Sequence, residues 1–378
     1  MASTRAQGKA GNNHIAEWFG HRIYPVVADS HAALTDQRTQ RCPLISTVTG
    51  SSHECVKPAN SKGVCTVSAH SNGIRQDWLV CPFRALDPAL LEEAVRRLFG
   101  HHADVGLDII PVTVLEDAAR RIAFVERVQA GEPAVVYFQN KLGGEITLSA
   151  TSRSPEMSFD ATMVEVLPGA DGPTLGRYGI FEIQTMDFHG SYSHAVNNLR
   201  QALHLHRDDF AKAVADHPEW PADRMEGPNI ANVFKRTFYQ MMFKFQIGAH
   251  SSSAGCAFAI PKSVWDSWQR HLGAPELVPS DDGTYRLKLP GPLSSDQPAA
   301  WIYVFELAES DSGPNEVALW RVIGTDAASL SHYALTVAPN AALEEGSAVD
   351  NIAASIRSRL RRYLPELAST PDGPAQRA

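Results

Sequence analysis

Asp160, in the run MSFDATMVEVL (Met157 to Leu167), and Glu182 and Gln184, in YGIFEIQTM (Tyr178 to Met186), place polar groups inside two β-rich segments. Glu182 and Gln184 are two residues apart, which puts both side chains on one face of a strand. If the two segments lie side by side, Asp160 comes against Glu182, and paired carboxylates supply hard oxygen ligands for Mg2+. Such a metal lowers the pKa of a bound water and stabilises charge on a pentavalent phosphate. Gln184 is a neutral amide and cannot act as a general base, but it can orient a water through donor and acceptor contacts. Glu145, in KLGGEITLS, adds a further acidic candidate, and the glycines before it allow close backbone approach. A plainer reading stands beside this one: a strand with one solvated face accounts for Asp160, Glu182 and Gln184, and a simple turn accounts for GGE.

A second chemistry is written into the cysteines. Cys42, Cys55, Cys65 and Cys81 cluster in a segment without strong helical periodicity, while Cys256 stands apart in AGCAFAIP and reads as a small buried apolar residue. In a reducing compartment, four clustered thiols are better explained by metal ligation than by two disulfides. A tetrahedron of thiolates suits zinc or a single iron and replaces the core that a short polar segment lacks. None of the spacings is a tight CxxC knuckle, so four unrelated buried thiols remain the alternative; His53 and His70 are candidate substitutes for one cysteine.

The elements that must position these groups can be read coarsely. Asp87 before Pro88 caps a predicted helix through Phe99, and a second helical pattern runs from Leu115 to Gln129. PAVVYFQ (Pro133 to Gln139) and the two polar-interrupted runs read as strands. Helical spacing follows in SHAVNNLRQALHLHRDDFAKAVADH, PNIANVFKRTFYQMMFKF and IPKSVWDSWQRHL, then a strand in WIYVFELA (Trp301 to Ala308), a surface loop over Ser310 to Asn315, and a last helix from Val349 to Leu364 before Pro365. This order predicts a mixed α/β sheet core flanked by helices, with an added N-terminal module. The expected boundaries are a mobile tail over 1–13, a metal-binding module over 14–86, a core with dimerisation helices over 87–365, and a mobile tail over 366–378. No run approaches the roughly 20 apolar residues of a membrane span, and no secretory leader is evident at the N-terminus, so a cytoplasmic location without a membrane partner is expected. A formal net charge of -8 argues against non-specific polyanion binding yet leaves room for a local basic cleft built from Lys235, Arg236 and Lys244 or from Arg357, Arg359, Arg361 and Arg362, either of which also reads as a solvated helix face. The serines and histidines of DFHGSYSH lack a G-x-S-x-G elbow, and neither a Walker loop nor a G-x-G-x-x-G fingerprint occurs.

Asp, a gap, then Glu-x-Lys is the PD-(D/E)xK arrangement of many nucleases; here Gln184 holds the lysine position. The blocks FGHRIYP, DWLVCPFRALDP, YFQNKLGGE, SFDATMVEV, RYGIFEIQTMDFHGSYSHAV, MEGPNIANVFKRTFYQM, FAIPKSVWDSWQRHL and WIYVFEL, with the cysteine segment, resemble the NotI restriction endonuclease family over most of the chain. The resemblance implies a homodimeric type II endonuclease on a PD-(D/E)xK core that cuts duplex DNA with Mg2+. Asp160, Glu182 and Gln184 would be its active-site residues, Glu145 would lie nearby, and the four cysteines would hold one structural iron. It further implies a G·C-only palindrome, GCGGCCGC or a related site containing GGCC, cut to leave 5′ overhangs and protected in the host by a cognate DNA methyltransferase. A two-fold dimer reads such a site through major-groove base edges. Candidate readers are Gln37, Arg38, Arg177, His189, Ser191, Asn229, Asn232, Lys235 and Arg236. Two other classes compete: a non-catalytic, metal-stabilised, sequence-specific DNA-binding protein, as the missing lysine suggests, and a redox or metal-transfer protein built on the cysteines.

Overall fold

The computed structural model of the protein describes residues 13–71, 73–289, 298–308, 315–344 and 348–365. Both expected tails, apart from Asn13, and the expected loop at Ser310 to Asn315, apart from Asn315, lie outside these residues.

The chain opens with strands β1 (His14–Trp18) and β2 (His21–Arg22), helices α1 (His31–Thr39) and α2 (Pro43–Thr49), and strands β3 (Val64–Ser71) and β4 (Ile74–Leu79). These strands form an antiparallel four-stranded sheet in the order β2-β1-β3-β4. Then come α3 (Pro88–Phe99), β5 (Asp108–Pro111), α4 (Ala118–Gln129), β6 (Ala134–Gln139), β7 (Thr147–Leu148), β8 (Met157–Ser158), β9 (Ala161–Leu167) and β10 (Thr174–Ile183). The second half holds α5 (Ser193–Leu205), α6 (Phe210–Asp216), α7 (Ile230–Gly248), β11 (Ser253–Pro261), α8 (Lys262–Leu272), β12 (Leu277–Pro279), β13 (Tyr285–Leu287), β14 (Ala300–Ala308) and β15 (Glu316–Thr325), with short helical segments and a last helix, Ala348–Leu360. A nine-stranded mixed sheet in the order β12-β13-β15-β14-β11-β10-β9-β6-β5 is the centre of the molecule.

The sheet is covered on both faces, so its central strands read as continuous apolar runs. Val135, Tyr137, Ala161, Met163, Phe181, Ile183, Ala257, Ala259, Tyr303 and Phe305 project to one side, against Leu90, Leu91, Ala94, Val95 and Leu98 of α3. The alternate residues Ile180, Cys256, Phe258, Ile260, Ile302 and Val304 face α7 and α8, where Met241, Phe245, Trp265 and Trp268 meet them. Glu182 and Gln184 share the parity of Ile180 and are therefore aimed at α7. The α3 helix forms where the sequence predicts it: the Asp87 carboxylate accepts from the N–H groups of Ala89 and Leu90, a cap worth about 1 kcal/mol.

Several elements differ from the sequence expectation for local reasons. The helical run from Ser193 ends at Leu205, and the short segment after it meets Arg38 through the Arg207 carbonyl and the Asp208 carboxylate. The strand expected over Met157 to Leu167 splits at Phe159 and Asp160, where the Phe159 N–H turns to Ile146. The second helix starts only at Ala118, capped by the Asp117 carboxylate. The N-terminal sheet shares its apolar packing with the rest of the chain: Ile15, Trp18 and Val67 pack with Val196, Leu199 and Phe210. Glu17 of β1 holds Arg84 through both carboxylate oxygens at 2.8 Å, and the Asn315 N–H donates to the same carboxylate at 3.1 Å.

Candidate active site

Asp160 and Glu182 meet where the β9–β10 ladder ends. Phe181 pairs with Ala161, so the next residues outward, Glu182 and Asp160, stand opposite each other. Side chains replace the missing ladder bonds there: the Asp160 N–H donates to Glu182 Oε1 at 3.2 Å, and the Ile183 N–H donates to Asp160 Oδ2 at 2.9 Å. This reciprocal clasp fixes both carboxyl groups on the wall of a cavity of about 560 Å3. Gln184 lies one residue past the end of β10, yet its N–H still donates to the Ala259 carbonyl of β11 at 2.9 Å, which keeps it on the Glu182 side. Its amide is engaged at both ends, with Thr237 Oγ1 donating to its oxygen and its nitrogen donating to the Thr185 carbonyl.

The opposite wall is α7. Arg236, Thr237, Gln240, Met241 and Lys244 recur at three- and four-residue intervals and line the same cavity. The Lys244 ammonium is buried and donates to Glu182 Oε2. Burial, then repulsion from Asp160, pushes the Glu182 carboxyl up to about 8; the Lys244 charge acts in the opposite sense. Glu145 is exposed at the cavity mouth, where its Oε1 accepts from Asn140 at 3.1 Å. It is delivered by a tight loop in which Gly143 and Gly144 have φ of 97° and 88°. A Cβ on Gly143 would stand 2.2 Å from Val112, so the glycine reading of KLGGE is a steric requirement.

The fold thus brings Asp160, Glu182, Gln184, Glu145 and Arg236 to one cavity. The other residues singled out for DNA contact are dispersed. Asn229, Asn232 and Lys235 continue the exposed or half-buried side of α7 from Arg236, which pairs with Asp187 at 2.5 Å. His189 and Ser191 are exposed in the loop before α5, next to this helix start through the His189 N–H to the Gly227 carbonyl. Arg177 sits at the other end of β10 from Glu182, donating to the Phe99 carbonyl at 3.2 Å in a separate cavity with Arg96, Arg97 and Arg286. Gln37 is 1% exposed, so its amide is not presented to a base edge, and Arg38 pairs with Asp208 at 3.2 Å.

The four cysteines gather from separate segments. Cys42 precedes α2, Cys55 follows it, Cys65 is on β3 and Cys81 ends the extension of β4. Cys42, Cys65 and Cys81 are buried in one apolar cluster against which Cys55 packs. Lys57 ties the strands beside them, donating to the carbonyls of Val64 at 2.8 Å and Val80 at 3.1 Å. A hydrogen bond from Cys65, with Lys57 and Arg84 nearby, draws the Cys81 thiol down, while burial and the neighbouring sulfurs push Cys42 up to about 12. Among the described residues no three His, Cys, Asp or Glu side chains are spaced as ligands of one ion. Cys42, Cys55, Cys65 and Cys81 are all free thiols, and the structure shows them as neighbours in one apolar cluster rather than as a ligand tetrahedron. His53 is exposed and bonds Ser51 at 2.9 Å, and His70 is also exposed.

Lys244 and Thr237 are the site residues whose roles the sequence does not announce. Their signal was the apolar periodicity of α7, which carries a lysine on the row otherwise filled by Met241 and Phe245. No protein-family model matches this sequence and no curated protein matches it, so the chemistry of the site rests on its own geometry.

Proposed function

We propose that the protein is a Mg2+-dependent endonuclease of duplex DNA, built on a PD-(D/E)xK core in which Gln184 stands at the lysine position. The observation that carries this reading is the clasped Asp160–Glu182 pair on the wall of a cavity beside a buried cation. Asp160 and Glu182 would hold the metal. Two carboxylates with the remaining positions left to water and a phosphate oxygen are the usual protein share of a Mg2+ site, so a third protein ligand is not required. When bound, the metal supplies a water of lowered pKa and offsets charge on the phosphate. Asp160 keeps Oδ1 for that task because Ile183 occupies Oδ2. Glu145 adds negative charge at the mouth. Gln184 keeps one N–H of its amide for a water, its carbonyl being fixed by Thr237.

The exposed side of α7 from Asn229 to Arg236, with His189 and Ser191, is the proposed DNA-facing edge. A homodimer would meet a G·C-only palindrome such as GCGGCCGC, or a related GGCC-containing site, leaving 5′ overhangs, with host DNA guarded by a methyltransferase and the reaction taking place in the cytoplasm. The Cys42, Cys55, Cys65 and Cys81 set would hold one iron or zinc.

Incubation of purified protein with a G·C-rich plasmid and Mg2+ or EDTA tests the activity. Discrete fragments appear only with Mg2+, and end sequencing gives the site; specific binding without cleavage of any duplex would instead make this a non-catalytic DNA-binding protein.

A pH dependence follows from Glu182. A protonated carboxyl does not ligate a cation, and burial with the Asp160 charge pushes this one up towards about 8, so at sub-saturating Mg2+ the cleavage rate is expected to rise with pH. The slope approaches roughly tenfold per pH unit. Raising Mg2+ moves the limb to lower pH, because metal and proton compete for one carboxylate. A flat profile between pH 6 and 8 at low Mg2+ contradicts the assignment of Glu182 as ligand.

A further inference from the structure

We propose that Lys244 supplies, from α7, the positive charge at the scissile phosphate that the Gln184 position lacks. The inference rests on the nuclease reading above and concerns how that site works.

A buried ammonium is expensive unless paired, and a buried ion pair commonly stabilises a fold no better than apolar residues of the same volume. Packing therefore does not explain a lysine at 244. Its immediate neighbours on that side of α7, Met241 and Phe245, are apolar and each 1% exposed. Lys244 is 4% exposed, donates to Glu182 Oε2 and lies 5.9 Å from the Phe159 ring centroid. Thr237, two turns earlier on the same helix side, fixes the amide of Gln184. One helix face thus serves both strand positions: a hydroxyl for the amide, an ammonium for the carboxylate.

The other cations lining this cavity are committed elsewhere or stand further out. Arg236 is exposed and paired with Asp187 at 2.5 Å. Lys57 is spent on two backbone carbonyls at 2.8 and 3.1 Å. Lys141 is exposed on the glycine loop. Lys244 alone among these four is both buried and in contact with the carboxylate pair.

With Glu182 committed to a divalent cation, the Lys244 ammonium, which in the structure donates to Glu182 Oε2, would reach a non-bridging oxygen of the bound phosphate. Lys244 forms no covalent bond and gives up no proton. It offsets the extra negative charge as the water oxygen adds to phosphorus and the bond to the leaving oxygen breaks, an electrostatic role that is strongest in a water-poor site. A flexible four-carbon stem makes lysine suited to this change of partner.

The test uses full-length protein and the duplex mapped by end sequencing. Lys244→Met is expected to lower the single-turnover rate in Mg2+ at least about a hundredfold, with duplex binding in Ca2+ kept within about fivefold. Adding Gln184→Lys to Lys244→Met restores at least about tenfold of the rate, because the charge returns from the strand; a packing role for Lys244 gives no such rescue. Binding in Ca2+ provides a readout without turnover. A neutral methylphosphonate at the scissile position weakens wild-type binding about tenfold and Lys244→Met binding less than about twofold, the coupling of a direct contact. Equal losses in both proteins, or a Lys244→Met rate equal to wild type, overturn the inference while leaving the nuclease reading intact. Failure of the wild type to cut any duplex overturns that reading itself. If the Met variant does not fold, Lys244→Gln, which keeps a donor to Glu182 without charge, replaces it with the same expected outcomes.

Discussion

Asp160→Ala and Glu182→Ala each reduce Mg2+-dependent cleavage by about a thousandfold or more, while specific duplex binding in Ca2+ stays measurable. The magnitude follows from removing half of the proposed two-carboxylate metal site, a loss of about 4 kcal/mol of transition-state stabilisation. The two substitutions are not structurally equal. Asp160 accepts the Ile183 N–H and Glu182 accepts the Asp160 N–H, so alanine at either position also strips a backbone donor of its partner. That costs about 1–3 kcal/mol of stability where the donor is buried. Asp160→Asn separates the effects, since it keeps an acceptor for Ile183 and removes only the charge; it should melt near the wild-type temperature and remain equally slow. Single-turnover kinetics with parallel thermal melts decide the matter, and cutting at more than about a tenth of the wild-type rate by Asp160→Asn would remove Asp160 from the site.

If the proposed metal is bound there, Cys81→Ser is expected to abolish metal content and to destabilise the protein by about 5 kcal/mol, roughly 6 °C in melting temperature for a chain of this size. Serine is nearly isosteric with cysteine, so a smaller fall would be expected if Cys81 were only a packed thiol. The effect should extend beyond the N-terminal sheet. Cys42, Cys65 and Cys81 pack in the same cluster as Leu90, Val95, Tyr137 and Phe181, so loosening them also loosens the α3 face of the main sheet. Elemental analysis is expected to find one iron or zinc per chain in the wild type and none in the variant. A wild-type protein that loses its metal to a chelator with no change in melting temperature would favour the redox or metal-transfer class.

Much of the site was legible before any coordinate. The i, i+2 spacing of Glu182 and Gln184 forces a shared face whatever strand surrounds them, because side-chain alternation is a local property of extended backbone. The Asp87–Pro88 cap and the left-handed glycines before Glu145 are similarly local, and the structure carries each of them where the residues indicate. The N-terminal strands were not legible. His14–Trp18 and Val64–Ser71 pair across more than forty intervening residues, and their alternation is masked because β3 is buried on nearly every residue. The Arg177 and Gln37 positions show the same limit from the other side: both are polar residues near suggestive motifs, yet one lies at the far end of β10 and the other inside the fold.

The sequence by itself determined which groups could do chemistry and which of them share a strand face, because these depend on residue type and on backbone periods of a few residues. Only the tertiary structure decided that Asp160 stands directly opposite Glu182, since that needs the β9–β10 register set by the buried pairs Phe181–Ala161 and Ile180–Thr162. Only it decided that a lysine 62 positions downstream meets that pair. The physical reason is range: α7 is fixed over the sheet by the packing of Met241 and Phe245 against Phe258 and Ile180, and no local spacing records which residue of a helix such packing turns toward a carboxylate.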